Sequence, residues 1–330
     1  MRMGVIGLAG VGRNHLAVLS QLPQYEIAAA CDIDETILAE RTAGLDLGRY
    51  TDARQMMDRE RLDAVSLCTP PKVHLPHTEL AAERGIHVLC EKPMAPDAAT
   101  CQRMIDACER PGVTLMIAHK KRYVSAIRRL KELAEGPLGP IEVLMHRYPH
   151  PWMPEHEWFW AEDDGGGPLV ENAVHAADTL RFLLGNVSRV YAEGDVFNAR
   201  HHAPQLNVAL YTARFATGAI AMVGAGMVSI PTPGMIFEDF WAACTHGIAE
   251  VSGPFDNPNK LTYALRDDIQ KIHTETFGDD PFVREFEHFD ECVRTGATPL
   301  TNGYEGMKAV ELCLAVKRSC RTEAPVTLGD

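Results

Sequence analysis

The stretch MGVIGLAGVGRNHL, residues 3–16, decides the fold. A short unbroken apolar run, typical of a strand covered on both faces, leads into a glycine turn and then into a helical pattern. The turn fits the dinucleotide-binding pattern G-x-A-x-x-G, in which Gly7 permits the tight turn and Gly12 lets the helix pack against the strand. Backbone N–H groups at the start of the helix are expected to hold a pyrophosphate. The predicted cofactor-binding residues of this turn are Gly7, Ala9, Gly10, Val11 and Gly12, with Ala9 where a second glycine normally stands.

The chain alternates short apolar runs with helical patterns as far as about residue 119. This alternation predicts a parallel, doubly wound α/β sheet of the Rossmann type. Beyond it the strand-like runs are longer and partly alternate in polarity, which indicates a mostly antiparallel sheet with one face covered by helices. The sequence therefore predicts two domains: a nucleotide-binding domain over residues 1–122 and an α+β domain over 123–330.

Composition narrows the class of protein. The chain has 330 residues, 46% hydrophobic and 23% charged, and its 32 Lys and Arg against 45 Asp and Glu give a formal charge of −13. An acidic chain without a basic stripe is a poor ligand for nucleic acid or an anionic membrane. The N-terminus lacks a signal-peptide pattern, and no apolar segment reaches the ~18–20 residues of a membrane span. Nine scattered cysteines without a Cys-x-x-Cys motif favour a reduced, cytoplasmic protein.

An aspartate follows the second predicted strand. Asp32 stands 20 residues after Gly12, where a carboxylate accepts hydrogen bonds from the adenosine ribose and repels a 2′-phosphate. Ile33 and Asp34 come next, without an adjacent arginine to bind that phosphate. NAD is therefore favoured over NADP, with Asp32 and Ile33 as cofactor-binding residues.

Three further motifs accompany the glycine turn: CTPPKVH at residues 68–74, CEKP at 90–93 and GGGPLVENAVHAAD at 165–178. With them the chain resembles, over essentially its whole length, the glucose–fructose oxidoreductase, inositol dehydrogenase and rhizopine-catabolism (Gfo/Idh/MocA) family. The resemblance implies a Rossmann domain followed by an open-faced sheet domain, through which members pair into homodimers or homotetramers. It also implies an enzyme that transfers a hydride between NAD(P) and a secondary hydroxyl or carbonyl of a sugar, polyol or related compound.

The resemblance also implies roles for residues in the first half. Lys92 is expected beside the nicotinamide ribose and the reacting hydroxyl, with Glu91 close to it, and the bond before Pro93 is commonly cis in relatives. An ammonium at that position can hold the substrate oxygen and stabilise negative charge on it. The cofactor-side loop is expected to contain Thr69, Pro70 and His74.

A helix is predicted to begin near Pro168. Glu171, His175 and Asp178 fall at i, i+4 and i+7 and therefore share one stripe of this helix. By the resemblance, His175 is the expected general acid or base, since an imidazole exchanges protons near neutral pH. Glu171, where relatives usually have Asp, is expected to orient His175 or to bind a neighbouring hydroxyl. Substrate contacts are expected from Arg122, Trp160 and Asp178, although Ala161 replaces the arginine that usually follows the tryptophan.

The sequence leaves other functions to be considered. His146, His150 and His156 lack a convincing ligand spacing, so no metal is expected, and His201-His202 is expected in an exposed loop. Bound NAD used transiently for elimination or glycoside cleavage is a second enzymatic interpretation. A nicotinamide-sensing protein without turnover is a third, which the presence of both Lys92 and His175 disfavours. The substrate, the reaction direction and the choice between dimer and tetramer are not determined by the sequence.

Overall fold

The structure is a computed structural model that describes residues 1–150, 157–197, 205–227 and 237–329. The chain forms two compact units, the first of Met1–His119 with Phe282–Met307 and the second of Lys120–Pro281 with Lys308–Asp330. The sequence predicts 282–307 in the second domain, whereas the structure groups this segment with the first unit. An amphipathic pattern predicts a helix with one apolar face but does not tell which sheet covers that face. Every helix within the described ranges is too short or too polar to span a membrane.

The first unit is built on a six-stranded sheet in the order β3-β2-β1-β4-β5-β6, with all pairs parallel. This is the order of a dinucleotide-binding fold, and it confirms the predicted doubly wound sheet. The strands are β1 Arg2–Ile6, β2 Glu26–Cys31, β3 Gly48–Tyr50, β4 Ala64–Leu67, β5 His87–Cys90 and β6 Leu115–Ile117. The helices are α1 Gly12–Leu19, α2 Glu35–Arg41, α3 Ala53–Arg59, α4 His74–Ala82 and α5 Ala98–Glu109, and most of α9, Pro281–Thr295, also belongs to this unit.

Short aspartate caps start three of these helices. Asp34, Asp52 and Asp97 each accept hydrogen bonds from backbone N–H groups of the first turn of α2, α3 and α5. Such caps satisfy amide groups that have no partner within the helix. Helices α2 and α3 begin shortly after β2 and β3, whereas a longer loop, residues 91–97, separates β5 from α5.

The second unit contains a nine-stranded sheet in the order β14-β13-β12-β11-β7-β10-β9-β8-β15. Among the described residues of this sheet, β7 and β10 are the only strands that pair in parallel, which confirms a mostly antiparallel sheet. The strands are β7 Ile141–His150, β8 Val187–Asp195, β9 Val208–Phe215, β10 Ile220–Met227, β11 Phe237–Cys244, β12 Gly247–Pro254, β13 Lys260–Leu265, β14 His273–Thr276 and β15 Val326–Thr327. The helices are α6 Ser125–Ala134, α7 Glu162–Gly165 and α8 Gly167–Leu184, with α10, Gly303–Thr322, contributing from Lys308 onward.

One face of this sheet is covered and the other is open. Along β9, Ala209, Tyr211 and Ala213 are buried while the residues between them are exposed, and α8 packs against β7 and β10. On the opposite face the strand register aligns a set of exposed apolar side chains, which we call the open sheet face. Its large members are Met145, Tyr191, Leu210, Ile220, Met222, Trp241 and Ile248.

Candidate active site

The glycine turn between β1 and α1 has the geometry that a pyrophosphate requires. Gly7 adopts a φ of 87°, and a Cβ there would lie 2.7 Å from the carbonyl oxygen of Cys68. A Cβ at Gly12 would lie 1.8 Å from the carbonyl oxygen of Gly7. A Cβ at Gly10 would meet no atom within 4 Å, so this residue lies at the open side of the turn. The turn thus needs glycine where the sequence predicted it and leaves space for a ligand over the start of α1.

Asp32 follows β2 and is tied to this turn. Its Oδ2 accepts the N–H of Leu8 at 2.7 Å, and its Oδ1 accepts the N–H of Asp34 at 3.0 Å. The residue is 8% exposed, whereas the next side chain, Ile33, is 91% exposed. A carboxylate oxygen has two lone pairs, so each oxygen retains one acceptor position for a ribose hydroxyl. These residues fit a dinucleotide in which Asp32 holds the ribose and Ile33 offers an apolar surface beside it.

His74, at the start of α4, braces the cofactor-side loop. The ring is buried, with Nε2 2.7 Å from the carbonyl oxygen of Thr69 and Nδ1 3.1 Å from that of Met94. Burial lowers the pKa of His74, although the carbonyl contacts oppose this. A neutral imidazole donates one hydrogen bond, and the shorter contact assigns it to Thr69. His74 therefore fixes the loop that contains Thr69 and Pro70.

The two charged residues after β5 differ in burial: Glu91 is buried and Lys92 is partly exposed. Glu91 is 5% exposed: its Oε1 lies 3.0 Å from His15 Nε2, and its Oε2 accepts the N–H of Lys92 at 3.0 Å. Burial alone would raise the pKa of Glu91, but the hydrogen bond and charge of His15 and the charge of Lys92 outweigh burial and lower it. Lys92 is partly exposed, and the Lys92–Pro93 peptide bond is cis, as the family resemblance implies. Glu91 thus points into the protein, whereas Lys92 is partly exposed beyond the end of the strand.

In the second unit, α8 begins at Gly167, next to the predicted Pro168. Gly166 and Gly167 have φ values of 84° and 81°, which glycine adopts without strain and which turn the chain into the helix. One helical turn further, Glu171 is partly exposed and His175 is 8% exposed. The predicted stripe therefore exists, with its carboxylate at the more open end.

Arg122 and Asp178, both predicted substrate contacts, are used within the protein. The guanidinium Nε lies 3.0 and 2.9 Å from the two carboxylate oxygens, and one of the terminal nitrogens lies 2.7 Å from Oδ1. Arg122 is 4% exposed and Asp178 is fully buried. Trp160 is also buried, packed with Phe159 and Met227. All three predicted substrate residues are thus buried in the structure, and the contacts described here join them to residues of the second unit.

The structure also contains a buried charge network beside His175, which the sequence did not predict. Tyr148 of β7 packs edge-to-face on the His175 ring at 6.0 Å and donates a hydrogen bond to Asp256 Oδ1 at 3.3 Å. Asp256 pairs with Lys120 and Lys121, and Lys121 also pairs with the buried Glu238. We call these residues, Lys120, Lys121, Tyr148, Glu238 and Asp256, the β7 charge network.

Electrostatics fix the ionisation of this network. Burial would raise the pKa of Asp256, but Lys121, Lys120 and His175 together hold it well below its ordinary value. Burial and the Asp256 carboxylate raise the pKa of Tyr148 well above its ordinary range. Asp256 is therefore a carboxylate and Tyr148 a neutral phenol at neutral pH. Asp256 also has a φ of 72°, a strained value for a non-glycine residue of the kind that clusters at functional sites.

The only sequence signal for the network was the pair Lys120-Lys121 directly after β6. Within the described residues, no three His, Cys, Asp or Glu side chains are grouped for a metal ion. His146 instead stacks on Phe240 at 3.9 Å. His156 and His201-His202 lie outside the described residues.

Two protein-family models match the sequence of this chain. The model described as "Oxidoreductase family, NAD-binding Rossmann fold" matches residues 1–119, and the "GFO/IDH/MocA C-terminal domain" matches residues 127–250. The chain belongs to the GFO/IDH/MocA oxidoreductase family. The expected family, fold and enzyme class are thereby confirmed, and the Rossmann unit is an NAD-binding fold by its family.

Relatives match the chain over its full length. Myo-inositol 2-dehydrogenase from Thermotoga maritima is 25% identical, over 100% of this chain and 99% of that protein. D-xylose 1-dehydrogenase (NADP(+)) 2 from Haloferax volcanii is 29% identical, over 99% and 100%. Among solved structures, the WlbA dehydrogenase from Bordetella pertussis in complex with NADH and UDP-GlcNAcA superposes with a TM-score of 0.83 at 23% identity, over 100% and 99%. This last likeness shows the fold.

Proposed function

We propose that the protein is an NAD-dependent dehydrogenase that transfers a hydride between nicotinamide and a secondary hydroxyl or carbonyl of a small sugar, polyol or related compound. The observation that carries the proposal is Lys92, a partly exposed lysine two residues after β5 whose backbone N–H donates to a buried carboxylate. In a member of an NAD-binding oxidoreductase family, a lysine at the carboxyl edge of a parallel sheet lies where ligands bind. The named activities of the inositol and xylose dehydrogenases support a sugar or polyol substrate.

The preference for NAD rests on Asp32. Its carboxylate is fixed by two backbone N–H groups and is followed by Ile33 rather than by a cation that would bind a 2′-phosphate. A negative group at this position repels the extra phosphate of NADP. The xylose dehydrogenase relative is named as an NADP(+) enzyme, so family membership alone does not determine the cofactor. The proposed preference for NAD therefore rests on the residues of this chain.

In the oxidative direction, the Lys92 ammonium donates a hydrogen bond to the substrate hydroxyl and stabilises the negative charge that develops on its oxygen. His175 accepts the hydroxyl proton at Nε2, because its Nδ1 is buried. Glu171, one turn earlier on α8, orients His175 or binds a neighbouring hydroxyl. The bound nicotinamide supplies the hydride acceptor. Tyr148 and Asp256 of the β7 charge network support the His175 ring from the side of the sheet.

We further propose that copies of the chain pair through the open sheet face. Seven large apolar side chains are exposed there, and a surface depression of about 460 Å³ runs between Met145, Tyr191 and Met222. Soluble monomers rarely expose a contiguous apolar patch of this kind. Whether the pairing gives a homodimer or a homotetramer is decided by the mass in solution.

The test is reduced-nicotinamide absorbance against a panel of sugars and polyols, with NAD and NADP in separate runs. We expect turnover with NAD for at least one compound, and a loss of about 10²–10³-fold in kcat for Lys92→Ala, the effect of removing one donor to a developing negative charge. Lys131→Ala, on the surface of α6, is the matched control. A silent panel with tight, co-purifying cofactor would instead support transient redox use of NAD. Undiminished turnover in Lys92→Ala would refute the assignment of Lys92.

A further inference from the structure

A histidine on the first helix lies behind the candidate catalytic lysine. His15 is completely buried in α1, and its Nε2 lies 3.0 Å from Oε1 of Glu91. The second oxygen of the same carboxylate accepts the backbone N–H of Lys92 at 3.0 Å. Two hydrogen bonds therefore connect the imidazole of α1 to the backbone of Lys92, the second residue after β5.

The His15 ring is fixed on its other sides as well. Its Nδ1 lies 2.7 Å from Ser66 Oγ and 3.3 Å from Cys68 Sγ, both at the carboxyl end of β4. Phe286 and Phe282 of α9 meet the ring edge-to-face, with centroids 5.1 and 5.8 Å away. The ring thus has little freedom to rotate, and its Nε2 is directed at Glu91.

The charges of this pair support each other. Burial would lower the pKa of His15, but Cys68 and Glu91 raise it well above its ordinary range. The pKa of Glu91 is lowered in spite of burial, chiefly through His15. The directions of both shifts are those of two groups whose charged forms stabilise each other. A buried pair of this kind adds little stability over a well-packed apolar one.

We propose that His15 is a positioning residue for Lys92: it holds the Glu91 carboxylate, and Glu91 in turn fixes the Lys92 backbone at the end of β5. The inference rests on the proposed function, because it takes Lys92 as catalytic. It differs from the role of His74, which is buried at the same edge of the sheet but contacts only backbone carbonyl oxygens there. His15 contacts the carboxylate that binds Lys92.

The first test is His15→Leu, with His87→Leu as the matched control. His87 lies at the opposite end of β5, is partly buried and accepts a hydrogen bond from the N–H of Thr114 at 3.0 Å, so its replacement also removes one internal hydrogen bond. Misplacing a catalytic group by about 1 Å costs about 10²-fold in rate. We expect kcat to fall about 30- to 100-fold in His15→Leu, with KM and the NADH dissociation constant within threefold of wild type. His87→Leu should retain kcat.

A conservative variant and a double-mutant cycle separate positioning from folding. His15→Gln keeps an N–H donor near Glu91 and should recover at least tenfold of the lost kcat. Glu91→Gln should lower kcat to a similar extent as His15→Leu, and the two losses should not multiply in the double variant, since both act through one contact. These two milder variants also decide the matter if His15→Leu does not fold. Multiplying losses, or equal losses in kcat and NADH affinity without recovery in His15→Gln, would overturn the inference.

The environment of Lys92 can also be measured without turnover. The Lys92 amine is labelled with pyridoxal phosphate and borohydride, and its labelling rate is determined by peptide mass spectrometry relative to that of the exposed Lys271. We expect at least a threefold faster relative rate in His15→Leu and no change in His87→Leu. If Lys92→Ala is fully active while this labelling responds to His15, the proposed function fails and the positioning contact stands. If Lys92→Ala is inactive and neither kcat nor labelling responds to His15, the positioning inference alone fails.

Discussion

Replacing Asp32 by alanine tests the cofactor assignment most directly. The side chain has two tasks in the structure: it accepts the N–H groups of Leu8 and Asp34, and it presents its remaining lone pairs where a ribose would bind. The variant removes the proposed ribose acceptor together with the negative charge that disfavours a 2′-phosphate.

The expected magnitude follows from the kind of hydrogen bond that is lost. A hydrogen bond to a charged group contributes about 1.5–3 kcal/mol. At 1.4 kcal/mol per factor of ten, the NAD dissociation constant should rise about 10- to 150-fold. NADP should lose much less affinity, because its 2′-hydroxyl is already replaced and the repulsion from Asp32 disappears. The ratio of the NADP and NAD dissociation constants should therefore fall by at least tenfold.

The assay is a fluorescence titration of NADH and NADPH into wild type, Asp32→Ala and Asp34→Ala. Asp34 is the matched control, since it is a carboxylate two residues away whose described role is to cap α2. Its loss should cost about 1 kcal/mol of stability and no cofactor affinity. Collapse of the glycine turn in Asp32→Ala would weaken NADH and NADPH equally. Equal weakening, or an NADH affinity within twofold of wild type, would refute the assignment of Asp32.

Further predictions concern the proton, the ion pairs and the open sheet face. His175→Ala should lower kcat by about 10²–10⁴-fold, as expected for loss of a general acid or base, and a pH profile near that of wild type would contradict this role. Asp178→Asn should destabilise the protein by about 3–5 kcal/mol in urea unfolding, because it leaves the Arg122 charge buried without its partner; an unchanged midpoint would contradict the pairing. Glu91, with its lowered pKa, contributes stability above its unfolded pKa of about 4.3 that is lost as pH falls. Glu91→Gln should therefore show a shallower loss of unfolding free energy between about pH 5 and 3, and a slope equal to wild type would speak against a charged Glu91. Met222→Glu, in the middle of the open sheet face, should lower the mass measured by light scattering to that of a monomer, and an unchanged oligomer would place the interface elsewhere.

Local sequence rules predicted those parts of the fold in which neighbours along the chain decide the structure. The glycine turn, the unbroken apolar strands and the helix after Gly167 are of this kind, since each depends on a few adjacent residues. Strand β3, with the sequence Gly-Arg-Tyr, has no apolar run and was not among the predicted strands. The segment 282–307 was predicted in the second domain and is grouped with the first unit in the structure, since its amphipathic pattern is compatible with either sheet.

The candidate site was predicted where a residue's role follows from its place at a strand or helix end, and missed where it depends on a distant partner. Lys92 follows β5 and Asp32 follows β2, so topology alone directs them to the ligand edge of a parallel sheet. Arg122 and Asp178 are 56 residues apart in sequence, and nothing local indicates that they bind each other. Lys121 and Glu238 are 117 residues apart and form a fully buried pair in the same way.

His15 shows the limit of the local rules most clearly. Its position gave a usable signal, because Gly12, His15 and Leu19 fall on the same buried face of α1, and an imidazole on such a face needs a partner. The partner, Glu91, lies 76 residues further along the chain, at the end of a strand whose order in the sheet must be known first. Once β1, β4 and β5 are adjacent, the helix after β1 can reach the ends of both other strands. The parallel order of the sheet thus brings the imidazole of the first helix to the carboxylate that binds the backbone of Lys92, the residue proposed to be catalytic.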